Sequence, residues 1–261
     1  MVESFNIRDE RQRKQKIEIL FKDKNLLVIN KPAGLLVIPD HWDPSLPNLI
    51  ELLSLKYEPI QTNDKQPVWV IHRIDKDTSG LVLFARNPDM HSALNQQFEK
   101  GKIEKKYLAV VRGIPQQSEG TIDLPIHQRP GKKFRMEIHK DGKPAVTEYR
   151  IIEKFRQFSL LEVTPKTGRT HQIRVHMVSL GCPLAVDAIY GSNKGIGIHH
   201  LKKIYVKEFE ERERSLLINR LTLHARKINF IDPFTDESRS FEAHPAKDFM
   251  ALLKALRKWG K

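Results

Sequence analysis

A single cysteine, Cys182, is all that the 261 residues contain. No disulfide can close within such a chain, and a reducing compartment suits it. No apolar run approaches the roughly 20 residues that a membrane helix needs. The stretch R-D-E-R-Q-R-K-Q-K (Arg8 to Lys16) has no apolar centre of the kind a signal peptide carries. These absences predict a cytoplasmic protein that does not engage membranes. Ser/Gly-rich linkers, internal repeats and low-complexity tracts are also missing, so the chain reads as one domain. Residues 1–16 are expected to form a basic N-terminal extension and 17–261 the folded body, ending in a helix. The phosphate-loop pattern G-x-x-x-x-G-K-[ST] and the zinc pattern H-E-x-x-H do not occur. No metal or cofactor is therefore expected.

Positive charge is what the chain has in excess. Lys and Arg number 45 against 32 Asp and Glu, a net charge of +13, and phosphate backbones attract surfaces of that sign. The excess is uneven. From His127 to Lys143 stand Arg129, Lys132, Lys133, Arg135, Lys140 and Lys143 against Glu137 and Asp141, in a segment punctuated by Gly and Pro. It reads as an exposed loop or hairpin that grips phosphates, or as a merely solvated charged loop. Near the C-terminus, Phe249, Leu252, Leu253, Leu256 and Trp259 recur at helical spacing with Lys254, Arg257 and Lys258 opposite, which predicts a packed terminal helix.

Two segments carry candidate chemistry. In I-H-R-I-D-K-D-T-S-G-L-V-L-F-A-R (Ile71 to Arg86), a polar stretch with Asp75 separates two apolar runs, Val68 to Ile71 and Leu81 to Ala85. Both runs predict strands, which puts Asp75 at a sheet end, where loops commonly carry function. Asp75, Asp77, Ser79 and Gly80 mimic the opening of a calcium loop, but Arg86 stands where the closing Glu belongs. Read alone, the loop serves equally well as a capped turn. His72 is expected to support the loop as a structural hydrogen-bond partner. The second segment, T-P-K-T-G-R-T-H-Q-I-R-V-H-M, starts at Thr164. It predicts a helix with Thr170 as N-cap, an apolar face of Ile173, Met177 and Leu180, and Gly181 as the stop. Lys166, Arg169 and Arg174, with His171 and His176 and no acid from Thr164 to Leu184, predict an anion-attracting site at the start of this helix. By themselves Arg174 also reads as a snorkelling helix residue and Tyr107 as an ordinary strand aromatic.

Three ordered segments, His72 to Arg86, E-K-K-Y-L-A-V-V-R-G around Tyr107, and Thr167 to Met177, together resemble the signatures of the RluA-type family of RNA pseudouridine synthases. The likeness extends to K-P-A-G at Lys31, to L-G-C-P-L-A-V-D-A-I-Y-G from Leu180, and to R-L-T-L-H-A with H-P at His244, covering the chain from about residue 17. It implies that Asp75 is the catalytic carboxylate, acting either at the sugar or at the base ring of a uridine. Arg174 is implied as its salt-bridge partner and Tyr107 as the ring that stacks on uracil and helps remove the carbon-5 proton. Arg73 is implied to fill the gap left when the target nucleotide swings out. Arg129, Lys132, Lys133, Arg135, Lys166 and Arg169 are the candidate RNA contacts. The implied partner is ribosomal or transfer RNA, and the protein is expected to act as a monomer. A non-catalytic RNA-binding or ribosome-assembly factor on the same scaffold is the alternative reading; a nucleoside hydrolase is disfavoured because only Asp75 has a reactive setting. Ile74 replaces the family's usual Leu, and Cys182 stands where His is common. The roughly 16 residues before the first expected strand are too few for the small RNA-binding domain that many members carry.

Strands are expected at Ile17–Phe21, Leu26–Ile29, Val68–Ile71, Leu81–Ala85, Tyr107–Val111, Val146–Ile152, Phe158–Val163 and Leu217–Leu223, and helices at Asn48–Tyr57, Asn87–Glu99, Thr170–Leu180 and the C-terminus. Strands in succession without regular crossover helices argue for an α+β class. The resemblance implies a single pseudouridine-synthase-type domain with a bent, mostly antiparallel mixed sheet flanked by helices. Lys194 to Arg214 is expected to be an exposed insert.

Overall fold

A computed structural model describes residues 3–8, 14–57, 68–131, 134–202 and 216–260. They fall into two compact units, Met1–Lys105 with Ala225–His244, and Lys106–His224 with Pro245–Lys261. In chain order the first unit holds β1 (Glu3–Arg8), β2 (Lys14–Lys22), β3 (Leu26–Lys31), α1 (Leu49–Lys56), β4 (Trp69–Val70), β5 (Ser79–Ala85) and α2 (Pro88–Glu99). The second holds β6 (Glu104–Arg112), β7 (Glu119–Asp123), β8 (Ile126–Gln128), β9 (Met136–Ile138), β10 (Val146–Lys154), β11 (Phe158–Pro165), α3 (Gln172–Ser179), β12 (Ile196–Gly197), α4 (Ile198–Lys202) and β13 (Leu216–Ile218). Then β14 (Leu223–Ile231) and β15 (Ser238–Glu242) complete the first unit and α5 (Lys247–Trp259) the second.

In the first unit β1, β2, β3 and β5 pair antiparallel in that order, β4 joins the end of β5, and β14 borders β5 and carries β15. All seven residues of β5 are buried, as an uninterrupted apolar run at the middle of a sheet should be. Gly80 is required there. Its φ is +113°, and a Cβ would stand 2.1 Å from the Ala225 carbonyl oxygen. Asn48 and Asn87 cap α1 and α2, accepting from the Glu51 and Met90 amides.

In the second unit β6, β11, β10 and β7 pair antiparallel, and β8 and β9 form a separate hairpin. The apolar face of α5 buries Phe249, Leu252, Leu253 and Leu256 against Leu108, Val110, Phe158 and Leu160, with Trp259 partly covered. The expected packed terminal helix is thus present, and among the described residues no helix is long and apolar enough to cross a membrane.

The α+β class holds, and the predicted long strands and helices lie within a few residues of expectation. Some local expectations need correction. Within the segment before residue 17, β1 pairs with β2, using the Phe5 and Ile7 alternation of an otherwise polar stretch. The strand expected at Leu217–Leu223 is broken, since β13 ends at Ile218 and β14 begins at Leu223. In the expected exposed insert, Ile196 and Leu201 are core residues packed with α5, and residues 203–215 lie outside the described residues.

Candidate active site

Asp75 belongs to the first unit, in the Ile71–Thr78 loop that joins β4 to β5. The sequence dictates that position, because the buried runs on each side leave the polar residues at the sheet end. Asp75 is half-buried, while Arg73 and Asp77 are exposed. The Asp75 carbonyl accepts from the Thr78 amide at 3.1 Å, closing the turn.

A second segment clamps this loop. Lys31, fully buried, donates through Nζ to the carbonyls of Leu35 at 2.6 Å, Lys76 at 2.8 Å and Pro32 at 3.0 Å. The Gly34 amide donates to the same Lys76 carbonyl at 2.8 Å, from a backbone at φ +84° that a side chain would strain. A buried ammonium is tolerated only with such partners. The K-P-A-G segment therefore anchors the residue next to Asp75. Sequence reading missed that role, although a lysine directly before Pro at the end of an apolar strand was its visible trace.

His72 keeps an edge at the surface, but its ring stacks on Phe98 at 5.0 Å and Nε2 accepts the Leu83 amide at 3.1 Å. Burial, with a smaller contribution from Lys105, pushes its pKa down to about 3. A neutral imidazole whose Nε2 lone pair is taken cannot relay protons there. It supports the loop, as expected.

Tyr107, Arg174 and the remaining candidates belong to the second unit. Tyr107 lies on β6 opposite Val163 of β11, half-buried against a cluster that includes Ile173 and Met177 of α3. Arg174 projects from α3 and is only 5% exposed. Its Nε and Nη2 donate to Asp187 Oδ2 and Oδ1, each at 2.8 Å, and its guanidinium lies 5.1 Å from the Tyr190 ring centroid. Oδ1 of Asp187 also accepts the amides of Ile189 and Tyr190 at 2.9 and 3.1 Å. Burial raises the Asp187 carboxyl, but Arg174 and these amides outweigh it and hold the group below the usual carboxylate range. Asp187 went unnoticed in the sequence because it lies on a different segment from the helix it serves.

The start of α3 differs from expectation. His171, not Thr170, occupies the N-cap, with a left-handed backbone at φ 55°. No side chain caps the helix there. Gln172 instead ties the helix start to its surroundings: its Oε1 accepts from the Arg169 amide and Thr167 Oγ1, and its Nε2 donates to the Val146 carbonyl and Thr147 Oγ1. Gly181 follows the helix at φ +74°, as expected of a stop. The cations of this segment are dispersed instead of pooled. Lys166 pairs with Glu148 at 2.7 Å, Arg169 is exposed with its Nε on the Pro144 carbonyl, and Arg174 is buried on Asp187. His176 is fully buried between Thr147 Oγ1 and the Leu124 carbonyl, and burial lowers its pKa.

The basic segment is a hairpin. β8 and β9 register Ile126 with Ile138 and Gln128 with Met136, and the Arg129 amide donates to the Arg135 carbonyl at 2.8 Å. Arg129 and Arg135 are exposed, Phe134 beside them is 52% exposed, and Lys132 and Lys133 lie outside the described residues.

Comparison with known proteins gives these groups a context. A family model described as RNA pseudouridylate synthase matches residues 25–179. The uncharacterized RNA pseudouridine synthase YlyB of Bacillus subtilis (strain 168) is 37% identical over 94% of this chain and 74% of its own. A ribosomal large subunit pseudouridine synthase D from Nitrosomonas europaea is 35% identical over 92% of this chain and 65% of its own. The solved structure of human RNA pseudouridylate synthase domain containing 4 superposes with a TM-score of 0.69 at 26% identity, covering 92% of each chain.

Proposed function

Since this chain belongs to the RNA pseudouridylate synthase family, we propose that it isomerises specific uridines of ribosomal RNA with Asp75 as the catalytic carboxylate. The match to the ribosomal large subunit enzyme supports the substrate class. The observation that carries the residue assignment is the anchoring of the Asp75 loop by the buried Lys31 ammonium and the Gly34 amide, both on the Lys76 carbonyl. A loop restrained in this way can present one carboxylate in a fixed place.

The reaction breaks the bond between uracil nitrogen and sugar, turns the base, and joins carbon 5 to the same sugar carbon; carbon 5 loses its proton and the freed nitrogen gains one. Nothing is gained or lost overall, so neither redox agent nor phosphate donor enters. Asp75 acts on the nucleotide, and Arg174 is assigned with it to the catalytic set. Tyr107 provides the stacking surface for uracil, an interaction that contributes about 1 to 3 kcal/mol for an aromatic ring. Its phenolic oxygen is assigned to help remove the carbon-5 proton late in the reaction. Extruding the base costs about a few kcal/mol of stacking, which Tyr107 and Arg73, the latter filling the vacated space, offset. Arg129 and Arg135, with Lys132, Lys133, Lys166 and Arg169, bind phosphates.

The test is a carbodiimide-based map of pseudouridine in total RNA from cells lacking the gene, complemented with wild type or Asp75→Asn. Sites in ribosomal RNA that vanish and return only with wild type are the expected outcome. With purified protein, Asp75→Asn should abolish turnover while RNA affinity stays within roughly tenfold, about 1.4 kcal/mol. Near-normal turnover by the variant removes Asp75 from the catalytic role.

A further inference from the structure

We propose that Tyr190 is a positioning residue that latches the β8–β9 hairpin to the start of α3, so that the RNA-gripping arginines and Arg174 share one support. This rests on the reading above in two respects, the hairpin as phosphate contact and Arg174 as partner of the reacting carboxylate. The latch itself rests on geometry.

The Tyr190 hydroxyl accepts the amide of Met136, the first residue of β9, at 2.8 Å. The same oxygen is 2.8 Å from Nδ1 of His171, the residue that opens α3. With the Met136 amide donating to the oxygen, the phenolic proton is available for Nδ1. Burial raises the Tyr190 phenol, which keeps that proton in place. The ring is used as well. The guanidiniums of Arg174 and Arg135 lie 5.1 and 5.2 Å from its centroid, the first from the catalytic helix and the second from the hairpin. Through its own amide Tyr190 donates to Asp187, the carboxylate that grips Arg174. One side chain thus touches the hairpin, the helix start and the Arg174 ion pair.

His171 shows what the arrangement costs. A non-glycine residue in the left-handed region is disfavoured unless its surroundings hold it. Here the imidazole is edge-on to Tyr190 at 5.4 Å and to Phe134 of the hairpin at 5.7 Å, besides its bond to the hydroxyl. Three residue pairs between β8 and β9 alone would leave so short a hairpin marginal in water. Docking on Tyr190 supplies the missing support, and RNA then meets Arg129 and Arg135 in one orientation, without an ordering step on binding.

Tyr190→Phe separates latch from packing, since it keeps the ring beneath both guanidiniums and deletes only the hydroxyl. In the RNA-free protein the Met136 amide should exchange with solvent about fivefold to tenfold faster, the loss of one hydrogen bond. Turnover of a ribosomal RNA fragment should lose about the same factor in kcat/KM, with the larger part in KM. His171→Ala, which removes the other partner of the hydroxyl, should speed exchange at the same amide. Unchanged Met136 exchange in both variants overturns the latch. Faster exchange with unchanged KM, in an enzyme that Asp75→Asn inactivates, overturns the link to RNA binding and leaves the Asp75 assignment standing. Activity in Asp75→Asn overturns that assignment instead, and the exchange result still decides the latch.

Discussion

Asp187 and Arg174 form a pair with almost no exposure, 1% and 5%. Removing one member of a buried pair leaves a charge without its partner and typically costs about 3 to 5 kcal/mol. Asp187→Ala should therefore lower the urea midpoint sharply, and a drop below about 1 kcal/mol would show that water reaches the guanidinium. His72 offers a pH test. Its folded-state pKa of about 3 lies below the ordinary 6.5, so between those values the unfolded chain binds the extra proton. Its contribution is complete above pH 6.5 and declines as pH falls through the window, by at most about 1.4 kcal/mol per unit. Denaturation at pH 7 and pH 5 should show the wild type losing more stability than His72→Gln; equal losses would mean the imidazole titrates normally. Neither environment is visible in the sequence. His72 beside a strand end suggested support, but its stacking on Phe98 depends on α2 lying against β5, and Asp187 stood in a resembling segment without a role.

At the scale of elements, length separates what was legible from what was not. Buried β5 and the capped α1 and α2 announce themselves through apolar runs and through Asn48 and Asn87. The strands β8, β9, β12 and β13 have two or three residues each, too few to show alternation. Thr170 looked like the cap of α3 because its hydroxyl could serve, whereas His171 takes that place and Gln172 ties the helix start to β10 through Val146 and Thr147. The charge of the segment predicted an exposed loop or hairpin, the structure shows the hairpin, and its two exposed arginines give a prediction. Arg129→Ala combined with Arg135→Ala should weaken RNA binding and reduce the slope of log affinity against log salt by up to about 1.4, or about 0.7 per lost contact to single-stranded phosphate. An unchanged slope assigns the hairpin to solvent.

For the molecule as a whole, a net charge of +13 makes RNA binding strongly dependent on ionic strength. Affinity for a ribosomal RNA fragment should fall linearly on a log-log plot with slope about −0.7 for each phosphate contacted in single strands. Filter binding between 50 and 200 mM salt, roughly the range over which such contacts are normally resolved, reads that slope; a flat response would separate the charge from the substrate. The same charge says nothing about which arginines are free to meet RNA. Arg174 is buried on Asp187, while Arg129 and Arg135 are exposed.

The sequence by itself determined the class of fold, the long strands, four of the helices, and the loop on which Asp75 stands, because apolar periodicity and caps act over neighbouring residues. Tertiary structure alone decided the partners. Lys31 meets Lys76 across 45 positions, Arg174 meets Asp187 across 13, and Met136 meets Tyr190 across 54. Each joins residues from separate segments, where burial makes an unsatisfied amide or charge expensive and so fixes which groups must meet.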